Sequence, residues 1–246
     1  MSDYKLAILV AGFESRFDDA GAEINKGLLP LKQKAVISHL IDKFPEDIEI
    51  VVAVGRTSNL LKEYLSIAHP EKNFSYVEVD SSTGPVSGGY SLVPAKKHLQ
   101  CPFVLSTVDT VVFEYVPRPT VNWLGVSPVP STQLRTSDDT SRFNAVNIKD
   151  GFVANMERDV KSDHTRAFIG LCGINDYELF WRTLETDRTF VNSELQLSNG
   201  LKALMESPNK LCAVEFTWFD AGTVEGYGAA RNVFDKSQED FDVSKT

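Results

Sequence analysis

Cysteine and histidine are scarce in this chain, and long apolar or basic runs are absent. The three cysteines, Cys101, Cys172 and Cys212, stand far apart with no paired spacing. That excludes a zinc ribbon, a dithiol redox motif and a disulfide framework. Each sits in an apolar stretch and reads as a buried free thiol, in keeping with a reducing cytoplasm. The four histidines (His39, His69, His98, His164) have no metal-binding spacing and receive no role. No segment approaches the roughly 20 apolar residues needed to cross a bilayer, so no membrane association is expected. The first apolar run, Leu6 to Val10, is too short for a signal core and has no basic flank. Lys and Arg form no dense cluster and the net charge is −9, which argues against a nucleic-acid partner. There is also no internal repeat, low-complexity tract or linker.

What is present is an ordinary globular composition, 42% hydrophobic and 24% charged over 246 residues, enough for one α/β domain with a sizeable core. In the first half, strands and helices alternate. Residues 5–11, 48–54, 74–79 and 102–108 read as strands, while 35–43 and 58–68 have helical apolar spacing. A Gly-rich bend then leads to a short helix ending at His98. This order predicts a mostly parallel sheet flanked by helices. The second half reads differently. Strand-like segments at 121–127, 142–149, 152–156 and 167–174 come without long helices between them and predict an antiparallel extension forming a pocket wall. Helices at 176–186 and 193–205, a strand at 211–216 and a helix near 223–234 follow, with a polar tail from Asp235.

The most informative stretch is the opening, AILVAGFESRF followed shortly by NKGLLPL. An apolar strand ends at Val10-Ala11-Gly12, and a polar loop (Phe13, Glu14, Ser15, Arg16) leads on towards Lys26. A strand running into a glycine loop offers backbone N–H groups to an anion, and Arg16 and Lys26 add full positive charges. On an acidic protein such a local cationic pocket suits a polyphosphate, helped by a divalent metal. Asp109 closes the apolar strand PFVLSTVD, at a strand end where parallel sheets gather ligands; alone it also reads as a turn cap. Asp220 lies in Trp218-Phe219-Asp220-Ala221-Gly222-Thr223, which alone reads as an Asx-turn entering a helix. Two carboxylates on separate strand ends could share one Mg²⁺, which takes few protein ligands and leaves other positions to substrate phosphates. The aromatics Trp123, Tyr177 and Trp181 read as core or surface residues rather than a cation–π cage.

Taken in order, these segments resemble the nucleotidyltransferases that activate sugar phosphates and related phosphorylated alcohols. Gly12, Ser15 and Arg16, with Phe17 in the apolar slot, match the family's glycine loop. Lys26, Leu28, Leu29 and Pro30 match its K-P-L-[LV]-P element. The stretch from Gly84-Pro85 to Ser91-Leu92 looks like its base-binding segment, Asp109 like its strand-end aspartate, and Trp218, Asp220, Gly222 and Thr223 like W-x-D-x-G-T. Two departures stand out: Glu14 replaces the second loop glycine, and Gly27 replaces proline. Asn155 to Asp159 resembles the family's E-K-[PD] element through Glu157 and Arg158. Phe168 to Ile174, with Gly173, resembles the strand that admits the acceptor, and Glu194 falls near its acidic acceptor contact.

The resemblance implies a Rossmann-like domain over residues 1–234, with a nucleotide-binding half (1–115), an acceptor-binding half (116–234) and the tail 235–246. It implies a Mg²⁺-dependent enzyme that transfers a nucleoside monophosphate from a nucleoside triphosphate to a phosphorylated small molecule. CTP is favoured as donor because the short chain resembles compact choline-phosphate cytidylyltransferase-like members, with UTP or dTTP next. The nucleotide would be held by Val10, Ala11, Gly12, Phe13, Glu14, Ser15, Gly84, Pro85 and Ser91, and the metal by Asp109 and Asp220. Arg16 and Lys26 would carry catalysis, and Glu157, Arg158, Gly173 and Glu194 would face the acceptor. Family members are often homo-oligomers. The rival readings are a nucleotide-sugar glycosyltransferase, disfavoured because Asp109-Thr110-Val111 lacks a second carboxylate, and a non-catalytic sensor of the same fold.

Overall fold

The computed structural model describes residues 2–11, 25–55, 58–80, 87–128, 145–157, 166–186 and 197–242. The apolar run that opens the chain is β1 (Lys5–Leu9), and its side chains are buried on both faces. A two-residue-per-strand hairpin, β2 (Pro30–Leu31) and β3 (Lys34–Ala35), follows and turns with Lys32 at φ 59°. Helix α1 (Val36–Ile41), β4 (Glu49–Val54), α2 (Asn59–Ala68) and β5 (Asn73–Glu78) come next. Helix α3 (Gly88–Leu92) starts at Ser87, whose hydroxyl accepts from Tyr90 N, and passes into a 3₁₀ turn over Val93–His98 that contains Pro94. Then comes β6 (Phe103–Thr107). Strands β5, β4, β1 and β6 lie side by side in parallel. Their two faces feed separate cores: Leu6, Ile8, Val52 and Val104 pack with α1 and α2, while Ala7, Leu9, Ala53 and Leu105 pack on the opposite face. Burial on both faces is why β1, β4 and β6 read as continuous apolar runs, whereas β5, at the sheet edge, is mostly half-buried and alternates.

The second half extends the same sheet. It contributes β7 (Thr110–Val112), β8 (Trp123–Pro128), β9 (Ala145–Lys149), β10 (Phe152–Glu157) and β11 (Arg166–Ile174). Helices α4 (Tyr177–Thr186) and α5 (Leu197–Glu206), strands β12 (Cys212–Glu215) and β13 (Trp218–Asp220), and helix α6 (Val224–Asp242) complete it. The described strands form a nine-stranded sheet in the order β5-β4-β1-β6-β11-β8-β12-β10-β9. Strand β11 runs antiparallel to β6 and joins the two halves. Because β9 also pairs with β11, the strands β11, β8, β12, β10 and β9 close into a ring. The β9–β10 connection is Asp150-Gly151, with φ of 53° and 81°, the positive values that two-residue hairpins require.

The parallel half and the antiparallel extension agree with the sequence reading. Three features differ. The short pairs β2–β3 and β7–β13 carry too few residues to show a period of two. The expected tail from Asp235 is helical to Asp242, a stretch without glycine or proline to stop it. Of the cysteines, only Cys172 is fully buried, with burial pushing its thiol pKa up; Cys101 and Cys212 are half-buried.

Candidate active site

The four parallel strands end together. Val10 N donates to Ala53 O at 2.9 Å, Val108 N to Leu9 O at 3.1 Å and Val79 N to Val54 O at 2.9 Å. Val10 and Ala11 are buried at this edge. Gly12, Phe13, Glu14, Ser15, Arg16, Gly84 and Pro85 lie outside the described residues. Ser91 is buried within α3, where its N–H donates to Ser87 O at 2.9 Å. That helix sits over the end of β1: a methyl at Gly88 would lie 3.6 Å from Leu9 Cδ1.

Lys26 opens a 3₁₀ turn over Lys26–Leu28. Asn25 caps it, its Oδ1 accepting from Gly27 N at 2.9 Å. A Cβ at Gly27 would come within 2.5 Å of Val108 Cγ2 and 3.4 Å of Ile37 Cβ. Glycine in place of proline therefore has two local causes here. A proline would lose the N–H that Asn25 holds, and its ring would collide with Val108. The close approach seats the lysine segment against the residue preceding Asp109.

The two aspartates meet through the β7–β13 pair. Asp220 is opposite Thr110 in register, and Ala221 N donates to Asp109 O at 2.9 Å. Gly222 N donates to Asp220 Oδ1 at 3.0 Å, so the Asx-turn is present as well. A methyl at Gly222 would collide with Asp109 Oδ2 and lie 2.9 Å from Asp220 Oδ1. The two carboxylates thus converge on the space that glycine leaves empty. Asp220 is buried, at 7% exposure, and Asp109 is half-buried. Thr110 Oγ1 donates to Ile169 O at 2.6 Å, which leaves the Thr107 hydroxyl to donate to Thr110 Oγ1 at 2.9 Å. This chain fixes the turn that carries Asp109. Thr223 then starts α6, its hydroxyl accepting from Gly226 N at 3.0 Å.

Two hard oxygen donors, one buried and one partly open, fit a Mg²⁺ that keeps its remaining positions for water and phosphate. Among the described residues no group of three or more His, Cys, Asp or Glu gathers for a metal, so a thiolate or imidazole centre has no candidate there.

On the acceptor side, Glu157 ends β10, while Arg158 and Glu194 lie outside the described residues. Gly173 sits beneath the Trp123 indole, which fills the space of its missing side chain. A second close approach in β11 is Gly170, at φ 75°, where a Cβ would collide with the Thr107 hydroxyl. Sequence reading passed over Gly170 because nothing local marks the register shift of β11 against β8. Trp123 and Trp181 are core residues, and Trp181 Nε1 donates to Leu99 O at 2.9 Å; Tyr177 packs against the same core as Trp181. No cage for a cationic head group forms from them.

No protein-family model matches the chain. A bifunctional GlmU protein of Methanococcus vannielii is 26% identical over 243 residues, spanning 94% of this chain and 55% of that protein. The chain therefore spans about half the length of that curated relative. Among solved structures, a UDP-glucose pyrophosphorylase complexed with UDP-glucose superposes with a TM-score of 0.77 at 17% identity, over 96% of this chain and all of the other. A nucleoside-diphosphate-sugar pyrophosphorylase from Vibrio cholerae gives 0.72 at 16% identity, over 92% and 99%. A UTP-bound UGPase from Acinetobacter baumannii gives 0.70 at 15% identity, over 94% and 93%. These structures share the fold, and the GlmU relative adds sequence likeness along nearly the whole chain. In topology the chain shares the mixed α/β fold of these pyrophosphorylases, and in sequence it is similar to the GlmU relative along 94% of its length.

Proposed function

We propose that this protein is a nucleotidyltransferase that couples a nucleoside triphosphate to a phosphorylated sugar or alcohol and releases pyrophosphate. The observation that carries the reading is the convergence of Asp109 and Asp220 on Gly222, at the strand-end edge beside the Lys26 turn.

In the proposed reaction an acceptor phosphate oxygen attacks the α-phosphorus, the bridging P–O bond to the β-phosphate breaks, and pyrophosphate leaves with the electron pair. Both partners are anionic, so the protein's task is charge neutralisation and in-line positioning. Asp109 and Asp220 would hold a Mg²⁺, which when bound withdraws charge from the α-phosphate and the leaving group. Lys26 would place its ammonium between the α-phosphate and the incoming phosphate. Arg16 and the N–H groups of the glycine loop (Gly12 to Ser15) would hold the β- and γ-phosphates, and Gly84, Pro85 and Ser91 the base. Glu157, Arg158 and Glu194 would face the acceptor, whereas Gly173, covered by the Trp123 indole, would not. No general base is required, because a phosphate monoester is largely ionised at neutral pH.

The donor in this reading is a pyrimidine nucleoside triphosphate. Compact family members suggest CTP, and the names of the structural neighbours carry UDP-glucose and UTP. A sugar phosphate is the favoured acceptor on the same grounds, with phosphocholine second. The product would supply surface-polysaccharide assembly in the cytoplasm, and a homo-oligomer is in keeping with the family. No described helix is long and apolar enough to cross a membrane.

The test is a thermal-shift panel of CTP, UTP, dTTP, ATP and GTP with and without Mg²⁺, followed by pyrophosphate release with candidate acceptors. A ligand at 100 times its Kd adds about 2.7 kcal/mol, which raises the Tm of a chain this size by roughly 5–10 °C. One nucleotide stabilising in a Mg²⁺-dependent way, with acceptor-dependent pyrophosphate, supports the proposal. Binding without pyrophosphate release would favour the sensor reading, and stabilisation by nucleotide sugars alone the glycosyltransferase.

A further inference from the structure

Lys26 and the two aspartates come from three distant parts of the chain, and a small separate core ties their segments together. It contains Leu31 and Val36 from the lysine segment and α1, Val111 beside Asp109, Ala221 beside Asp220, and Ala230 of α6. Leu29, Phe219, Tyr227 and Phe234 pack around it. Helix α6 reaches the lysine segment at two places. Phe234 meets the His39 ring edge-on at 4.8 Å, and His39 Nε2 in turn bonds Leu31 O at 2.8 Å. Closer to the aspartates, the Tyr227 hydroxyl donates to Pro30 O. Tyr227 stands on the first turn of α6, where its own N–H donates to Thr223 O at 2.9 Å. The path from Asp220 to the lysine segment therefore runs through one capped helical turn and one phenol.

We propose that Tyr227 is a positioning residue for Lys26: its hydroxyl holds the Lys26–Leu31 segment, through Pro30 O, to α6, the helix that follows Asp220. Among the described residues the segment's other polar ties include the β2–β3 pairing, the His39 bond to Leu31 O and three backbone bonds. Leu28 N and Leu29 N bond within it, to Asn25 O and Lys26 O, and Val36 N bonds Leu29 O. The first residue on its N-terminal side, Asn25, is used to hold Gly27 N. Those ties run to α1 and the β2–β3 hairpin, whereas the phenol joins the segment directly to the helix that follows Asp220. A displacement of about 1 Å there costs as much as a hundred-fold in a reaction governed by alignment. This inference rests on reading the site as a nucleotidyl-transfer centre.

The test is Tyr227→Phe, which keeps the ring in its packing and removes only the hydroxyl. Amide hydrogen exchange gives a readout that needs no activity. Exchange at Leu28, Leu29 and Val36 is expected to speed up about ten-fold or more, while amides of β1 and β4 keep their rates. In the acceptor-dependent pyrophosphate assay, kcat is expected to fall about ten-fold with the nucleotide KM within two-fold. In a Lys26→Ala background the same substitution should change kcat less than two-fold, since the group being positioned is gone. Unchanged exchange at Leu28 and Leu29 would overturn the inference, and so would equal losses in the presence and absence of Lys26. If the wild-type protein releases no pyrophosphate with any nucleotide and acceptor, the functional reading fails. The exchange result then still decides whether Tyr227 holds the segment.

Discussion

At Gly222 an added methyl group would enter the space on which Asp109 Oδ2 and Asp220 Oδ1 converge. Gly222→Ala is expected to abolish Mg²⁺-dependent stabilisation by nucleotide while the metal-free protein remains folded; titrating Tm against Mg²⁺ at fixed nucleotide checks this. Asp109→Asn should also end turnover with the circular-dichroism spectrum unchanged, and near-normal activity would remove Asp109 from the site. Lys26→Ala tests a different role. If the ammonium acts in the transition state, kcat should drop by a factor of roughly 10²–10³, matching about 3–4 kcal/mol of lost stabilisation. An effect confined to KM would make Lys26 a binding residue only. Gly27→Ala, by contrast, is a packing change against Val108. It should cost about 1–3 kcal/mol of folding stability, read from denaturant midpoints. At this scale the sequence was informative about residue type. Carboxylates at strand ends and a lysine after a glycine loop are ambiguous singly and legible in their order along the chain, whereas the reason for glycine at 27 needs the neighbour that touches it.

The element that assembles the site is the β7–β13 pair, three residues on each side. Strands β1, β4 and β6 were visible as apolar runs because both of their faces are buried, and β5 by its alternation. Strands β7 and β13 were not, since three residues carry no period, and their partner is more than a hundred positions away. Strand β11 was legible at 167–174, but not its register shift, which brings Gly170 against Thr107 and sets Ile169 O to receive the Thr110 hydroxyl. Thr110→Val retains the shape and removes that bond, leaving the Ile169 carbonyl and the Thr107 hydroxyl without their partner. We expect a loss of about 1–3 kcal/mol in unfolding free energy, measured by urea titration, together with reduced turnover as the Asp109 turn loosens. Equal turnover at saturating substrate would show that β7 holds Asp109 without help from the threonines.

The molecule as a whole is acidic, yet its acid sensitivity begins at two histidines. Burial lowers the pKa of His69, against the opposing pull of Asp42 and Glu71, and burial also lowers that of His39. Each binds its proton more weakly folded than unfolded, so the stability from keeping them neutral is complete above their ordinary value of 6.5. It is lost progressively as pH falls below that value. His69 is buried with Nε2 2.8 Å from Ser38 Oγ, so His69→Gln should flatten the fall in Tm between pH 7 and pH 5. An unchanged slope would place the acid sensitivity elsewhere. A second loss is expected below pH 4.5. Glu49 is half-buried and Glu114 exposed, and at both the hydrogen bonds to the carboxylate win over desolvation. Lys5 holds Glu49 low and Thr217 holds Glu114 low, so their stabilisation disappears on protonation.

Sequence alone determined the fold class and the chemistry on offer. Buried parallel strands must be apolar on both faces, and a polyphosphate site on an acidic protein must draw on local glycine, arginine, lysine and aspartate, so both leave a mark in linear order. Tertiary structure decided which of those residues stand together. The meeting of Asp109 and Asp220 at Gly222, the seating of Gly27 on Val108 and the reach of Tyr227 to Pro30 all depend on contacts between distant segments. Such contacts are set by strand pairing and close packing, which no local pattern of residue types encodes.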